Sequence, residues 1–478
     1  MKRFTHLVLI ICVLSIWMTA GCRSAEMVHP DEIAFPPLEF QPPRPERVEL
    51  SNGIIFYFME NHELPLINVT ALVRTGSMYD PEGEEGLAEI TGMVMRTGGT
   101  TAMTGYEIDM ELDVMAADLS VGVEKDRVAV SLSALKESSE LAMKIFSDIL
   151  KNPVFEQKKM QEAQNIKVEE LRRIIDNPQE MAFREFIRIM YGDNPRGRLS
   201  SVSSVEAITR NDMVMFHKRF FFPGNIMIAV TGDMTKEEAV TLMNRYFGSW
   251  DVSGEVPAIP MPDVHPTGSL YYIFKDISQS IIIIGRFAPG KDDPLYYAFK
   301  VLDFIVGSGG FRSRIFSTVR NELGLAYSAG SFYSAREGFG IFGTYAMTRT
   351  EATGKVLSVL QSITEDIKNR GVTGDELAWA KRSLINNFVF SYSSAEKIAF
   401  EYLLLEYYDL PRDFLESYRQ RIEDVTENDL LRAAGTYLQD GEAPILVLGN
   451  EKKFDRPLSS FGTVKQIMMD DTAGSRNK

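Results

Sequence analysis

Cysteine and histidine are nearly missing from this chain of 478 residues, which holds two Cys and five His. Cys12 lies inside an N-terminal apolar stretch and Cys22 just after it, so no thiol remains for the rest of the chain. That excludes disulfide frameworks and cysteine-ligated zinc from it. Beyond the N-terminal stretch the histidines are His29, His62, His217 and His265, none of them at metal-ligand spacing. No zinc site is therefore expected within the chain. A self-sufficient serine or cysteine hydrolase has no support either, because no Gly-x-Ser-x-Gly elbow occurs and no thiol is at hand. Basic residues are few: without Lys2 and Arg3, 49 Lys and Arg face 66 Asp and Glu. Such a balance argues against nucleic acid and against a basic membrane-binding face. No later apolar run reaches the roughly 18 residues of a bilayer-spanning helix.

The N-terminus carries a targeting pattern. Lys2 and Arg3 precede an apolar run from Leu7 to Trp17, and Met18-Thr-Ala-Gly-Cys22 follows. Small residues ending in a cysteine read as a bacterial lipoprotein signal over 1–21, with Cys22 as the acylated N-terminus. Several acyl chains, at about 0.8 kcal/mol per buried methylene, make a stable anchor. Arg23 after the cysteine favours the outer membrane, with the protein facing the periplasm. Residues 22–45 hold Pro30, Pro36, Pro37, Pro42, Pro43 and Pro45 and read as an extended tether.

The remainder exceeds one hydrophobic core. Two bodies are expected, 46–250 and 267–455, joined by a Pro/Gly-rich linker over 251–266 and followed by a polar tail over 456–478, whose last 15 or so residues read as loose. They read as repeats. Val205-Glu-Ala-Ile-Thr-Arg-Asn-Asp-Met213 returns as Ile422-Glu-Asp-Val-Thr-Glu-Asn-Asp-Leu430, a shift of 217 positions. The same shift lays Ile226–Gly232 over Ala443–Gly449. In both copies a threonine, Thr209 or Thr426, precedes an aspartate by three residues, the pattern of a capping box. Gly53–Phe58 and Ile67–Arg74 read as paired strands, 86–97 as a helix, Val128–Leu132 as a strand, and 137–151 and 155–175 as helices. In the second body a helix over Arg312–Leu323 and strands through Ala326–Tyr333 and Gly338–Met347 follow. The class is α+β: two homologous domains, each a mainly antiparallel sheet packed with helices.

One segment is more specific. Gly307-Ser-Gly-Gly-Phe-Arg-Ser-Arg-Ile-Phe-Ser-Thr-Val-Arg320-Asn-Glu-Leu-Gly-Leu-Ala-Tyr327-Ser resembles the second-domain signature of the pitrilysin/insulinase zinc peptidases, including their mitochondrial processing peptidase branch. Asn52-Gly53, Val73-Arg-Thr-Gly-Ser77, Asp176-Asn-Pro178, Pro223-Gly-Asn225 and Thr231-Gly-Asp233 add weaker matches, so that the resemblance spans 46–455. It implies a clam-shell half. Active members carry His-x-x-Glu-His, two histidines one helical turn apart that bind zinc around a glutamate that activates water. Here Glu89 and Met93 stand at the histidine positions and Gly92 at the glutamate position. Glu170, or Glu169 with a slip of one, stands in the column of the family's third ligand, and an ordinary helical surface residue is the alternative there.

The resemblance implies more for Arg320 and Tyr327. Such a pair reaches the substrate opposite the zinc and stabilises the oxyanion. The plain alternative is that Arg320 complements a helix C-terminus and Tyr327 packs. Asp118, Leu119, Ser120, Val121 and Gly122 match the edge strand on which peptide substrates add, although the family's usual Asn-Ala pair is absent. Glycines 307, 309 and 310 read as a flexible or tightly turning connection, not a phosphate loop, because no Lys-Ser/Thr follows in the required place. These matches imply a non-zinc subunit of a heterodimeric endopeptidase acting on peptides or unfolded segments, with zinc supplied by a homologous zinc-motif partner. A catalytically inactive peptide-binding or scaffold protein of the same fold is the rival expectation.

Overall fold

The computed structural model describes residues 43–469, apart from 257, 259, 264–267, 440 and 442, together with 475–477. Cys22, His29 and His265 lie outside the described residues. In the first half the strands are β1 (Glu46–Glu49), β2 (Ile55–Glu60), β3 (Leu66–Val73), β4 (Asp118–Val123), β5 (Val128–Leu135) and β6 (Ile226–Gly232), in the order β1-β2-β6-β3-β5-β4. The second half holds β7 (Leu270–Phe274), β8 (Gln279–Ala288), β9 (Ala326–Ala335), β10 (Gly340–Arg349), β11 (Ile445–Gly449), β12 (Val464–Met469) and β13 (Ser475–Asn477). Their order is β13-β12-β7-β11-β8-β10-β9. Five strands repeat in place and in direction: β2 and β6 run parallel, as do β7 and β11, and the other three follow antiparallel in both sheets. The class is α+β in two sheet-plus-helix halves.

The helices of the first half are α1 (Leu87–Thr97), α2 (Gly105–Val114), α3 (Ser139–Lys151), α4 (Gln157–Arg173), α5 (Pro178–Tyr191), α6 (Val202–Ala207), α7 (Arg210–Phe220) and α8 (Lys236–Phe247). Those of the second are α9 (Tyr296–Asp303), α10 (Thr353–Arg370), α11 (Gly374–Phe388), α12 (Ala395–Tyr407), α13 (Phe414–Glu423) and α14 (Glu427–Tyr437). Helices α7 and α14 keep the 217-residue shift at both ends, and each starts with a closed capping box, Thr209 with Asp212 and Thr426 with Asp429. Each box satisfies two of the amide donors left free at a helix start.

The same shift relates α5 to α12, and these two helices are exchanged between the halves. Helix α5 leaves the first half and packs on β8 and β11, where Phe186 lies against Gly285 and Phe183 sits 5.7 Å from Phe332. Helix α12 returns the favour on β6 and β2, with the Tyr402 ring 6.2 Å from Tyr57 and the Tyr57 hydroxyl donating to Glu406 at 2.7 Å. The central strands are therefore buried on both faces. Along β6, Ile226, Ile228 and Val230 enter the first half's core, while Met227 and Ala229 meet α12. Two-sided burial explains why β6 reads as a continuous apolar run and not as an alternation. Asp126, in the β4–β5 turn and 3% exposed, adds a polar tie between the halves, accepting from Arg336 Nη1 at 2.7 Å.

Three expectations need correction. Strands β2 and β3 do not pair, because β6 lies between them; a partner 170 residues away is invisible to local periodicity. The Arg312–Leu323 helix is mostly a wide π-type turn over Phe316–Glu322. The last residues are not loose throughout, since β12 pairs in parallel with β7 from Val464 to Ile467.

Candidate functional site

Helix α1 begins against a buried carboxylate. Asp80, 3% exposed, accepts from the amides of Gly86 and Ala88 at 2.8 Å each, where Gly86 turns through a φ of +112°. Burial pushes its carboxyl up to about 7, with the two amide bonds opposing that rise. One turn on, Glu89 points at Lys167 of α4, whose ammonium lies 2.5 Å from Glu89 Oε2 and 3.2 Å from both Glu170 oxygens. Lys167 is 8% exposed, and despite burial its pKa is raised by the two glutamates. Lys125 and Arg184 reinforce the positive field around Glu89, and burial lowers both of their pKa values.

Zinc does not fit here. An ammonium already lies between Glu89 and Glu170, and two carboxylates alone make a poor zinc shell. Met93 is half-buried against the hydrophobic core. At Gly92 a Cβ would stand 2.6 Å from Val123 Cγ2 and 3.3 Å from Val121 Cγ1, so β4 occupies the space a side chain would need. Glu169 is turned away to Arg172 at 2.7 Å. Among the described residues no group of three His, Cys, Asp or Glu side chains could hold a metal ion. His62 sits between Asp233 and Glu60, at 2.5 Å from each. His217 is buried, bonds the Leu150 carbonyl at 2.9 Å and stacks on Phe221.

Residues Asp118 to Gly122 do lie on an edge strand, β4. Asp118, Ser120 and Gly122 are exposed, while Leu119 is buried. The Leu119 carbonyl is already taken by Arg96 Nε of α1 at 2.8 Å, and Arg96 Nη1 holds Asp109 at 2.7 Å. A peptide adding to this edge would compete with Arg96 at that carbonyl or share it.

Arg320 and Tyr327 come together. The Arg320 guanidinium lies 4.7 Å from the ring centres of both Phe316 and Tyr327 and 5.7 Å from Phe311. Aromatic faces attract a cation by about 0.5–1 kcal/mol each at exposed sites. Tyr327 is 77% exposed, and its position follows from a bulge: Met347 pairs with Ser328 and Thr348 with Ala326, which leaves Tyr327 unpaired. A bulge re-aims a side chain that regular pairing would fix. Gly324, with φ +59°, makes the turn between the two residues. Neither Arg320 nor Tyr327 makes a side-chain hydrogen bond among the described residues, so the guanidinium N–H groups and the phenol O–H remain available as donors. Gly307 is where the preceding π-type turn touches β9; any Cβ would collide with the Ser331 amide.

Sequence reasoning missed Lys167, Arg96 and the ring pair Phe311 and Phe316. Lys167-x-x-Glu170 was visible as a helical i,i+3 ion pair. Its reach to Glu89 was not, because that depends on how α1 packs on α4.

Comparison with known proteins agrees with this geometry. Residues 59–200 match the family model described as insulinase, peptidase family M16, and residues 207–384 match the peptidase M16 inactive domain. A Rickettsia felis protein named an uncharacterized zinc protease is 24% identical over 81% of this chain and 93% of its own length. A Mycobacterium leprae protein of similar name is 28% identical over 60% of this chain and 65% of its own. Among solved structures, a peptidase M16 inactive domain from Pseudomonas fluorescens superposes with a TM-score of 0.80 at 24% identity, covering 87% of this chain and 99% of that one. A protease from Helicobacter pylori gives 0.77 at 20% identity, over 85% and 99%. The chain belongs to the insulinase family of peptidases, family M16.

Proposed function

We propose that this chain is the non-zinc subunit of a heterodimeric pitrilysin-like endopeptidase. A homologous chain with an intact His-x-x-Glu-His helix would be its partner. The observation that carries this reading is the Arg320–Tyr327 pair, stacked on one another with their donors free, beside a first domain whose own metal helix is closed. In the pair, the partner's zinc would polarise the scissile carbonyl and activate water. This chain would bind the peptide, and Arg320 and Tyr327 would donate hydrogen bonds to the oxygen on which negative charge develops. Donors of that kind are worth roughly 3–4 kcal/mol each in a water-excluded site. The Cys22 pattern supports a lipid anchor at the periplasmic face of the outer membrane.

A second reading is a catalytically inactive scaffold of the same fold, favoured by the Arg96 bond to the Leu119 carbonyl, which hinders peptide addition at the β4 edge. Peptidase assays on the chain alone, and mixed with a zinc-motif homologue from the same genome, separate the two. Chelator-sensitive turnover only in the mixture supports the first reading. A stable complex without turnover supports the scaffold, and chelator-sensitive turnover by the chain alone overturns both.

A further inference from the structure

A cavity of about 460 Å³ lies at the far end of β9, bounded by α9, α11, α12 and α13. At about 3.3 Å per residue, Ser334 on its wall is some 20 Å along the strand from Tyr327, so the cavity takes no part in the reading above. Its polar lining is Lys291, Lys300, Glu401, Tyr296, Tyr418 and Asn387. Tyr296 and Lys300 are one helical turn apart on α9 and share a face.

The unusual feature is what these groups do not touch. Among the described residues, neither lysine ammonium has an ion-pair or hydrogen-bond partner. The Glu401 carboxylate and the hydroxyls of Tyr296 and Tyr418 have none either. Lys300 has Asp303 three residues on, but that carboxylate is turned inward and accepts from Ser331 Oγ at 2.6 Å. Burial lowers the pKa of both lysines and raises that of Glu401. Tyr296 and Tyr418 are buried, whereas Lys291, Lys300 and Glu401 are half-buried. The ammonium groups lie by aromatic faces, Tyr408 at 5.6 Å from Lys291 Nζ and Tyr296 at 6.0 Å from Lys300 Nζ. Five polar groups that face one cavity without hydrogen bonds to one another leave their donors and acceptor open to a ligand. The charges do not cancel: two ammonium groups face one carboxylate. A single negative group between the lysines would balance them, and the two phenols add donors.

We propose that this cavity binds the carboxylate of a small organic acid or of a peptide terminus, held between Lys291 and Lys300 with Tyr296 and Tyr418 donating. Its size suits an amino acid or dipeptide unit, since small-molecule pockets run from roughly 300 to 1,000 Å³.

The test is thermal unfolding and calorimetry of the purified chain with acetate, with tetra-alanine as the free acid, and with tetra-alanine amide, each against chloride at equal ionic strength. Acetate or the free acid is expected to raise Tm by about 2–4 °C beyond chloride at saturation, and the amide is not. Lys291→Met and Lys300→Met should each abolish that gain in a protein that still unfolds cooperatively. Glu401→Gln should tighten binding by roughly threefold or more by removing a repelling charge. A free-acid peptide that outcompetes acetate identifies a peptide terminus as the source; equal affinities identify a small free acid. A gain no larger than chloride gives, one that survives in both lysine variants, or an unchanged affinity in Glu401→Gln overturns the proposal.

Discussion

Lys167 stands between Glu89 and Glu170, 2.5 Å from the first carboxylate and 3.2 Å from the second. One ammonium thus ties α1 to α4. Lys167→Met would leave the two glutamates repelling each other beside a buried methionine. Breaking a buried pair costs about 3–5 kcal/mol. Since Glu89 is 33% and Glu170 54% exposed, solvent screening reduces the expected loss to about 1–3 kcal/mol. Urea unfolding measures it, and Glu89→Gln combined with Lys167→Met should recover most of it. A Lys167→Met protein as stable as the parent would remove the lysine from this role.

Rebuilding the motif should not rebuild the enzyme. The triple change Glu89→His, Gly92→Glu, Met93→His supplies the family's letters, but Val123 blocks position 92 and Lys167 repels a cation. Overpacking of this kind costs about 1–3 kcal/mol. A zinc-reporter titration should therefore find no stoichiometric zinc unless Val123→Ala and Lys167→Ala are added. Tight zinc in the triple variant alone would contradict the packing described.

Arg320→Ala should slow peptide turnover by the assembled pair by roughly a hundredfold or more without loosening assembly. Arg320→Lys should restore little, because an ammonium lacks the planar face that lies over Phe316 and Tyr327. Tyr327→Phe keeps the ring and removes only the hydroxyl. It should lower kcat with little change in KM. Equal kcat in all three variants would end the oxyanion assignment.

Acid should weaken the first half through His217. Burial lowers its pKa to about 4, against an ordinary value of 6.5. The folded state refuses a proton that the unfolded chain accepts, so stability falls as the pH drops from 6.5 towards 4 and is unaffected above that window. The size at pH 4 is of order 3 kcal/mol. His217→Phe should flatten this acid limb in urea unfolding measured across pH 4–7. A slope unchanged by the substitution would place the acid sensitivity elsewhere.

Local signals were legible wherever one element decides the outcome. The capping boxes at Thr209 and Thr426, the helix carrying Glu89, Gly92 and Met93, and the strand opening near Tyr327 all follow from short-range pattern. What escaped depends on packing between distant elements. The insertion of β6 between β2 and β3 rests on pairing across 170 residues. Lys167 meets Glu89 only because α4 crosses α1, and Tyr327 is turned outward by a bulge in its pairing with β10. The β12 pairing was hidden because five of its six positions face solvent at least in part, so it lacks a strong apolar pattern.

The exchange of α5 and α12 has a consequence for the protein's origin and its integrity. Each sheet completes its outer layer with a helix encoded by the other repeat, the same helix in both copies. An ancestor with one copy would have achieved this only by trading the helix with a sister molecule, so gene fusion would have turned a symmetric dimer into a single polypeptide. Neither repeat is a free-standing module as a result. A cut between them would yield two fragments, each with one naked sheet face and one orphan helix, that are soluble only in each other's company.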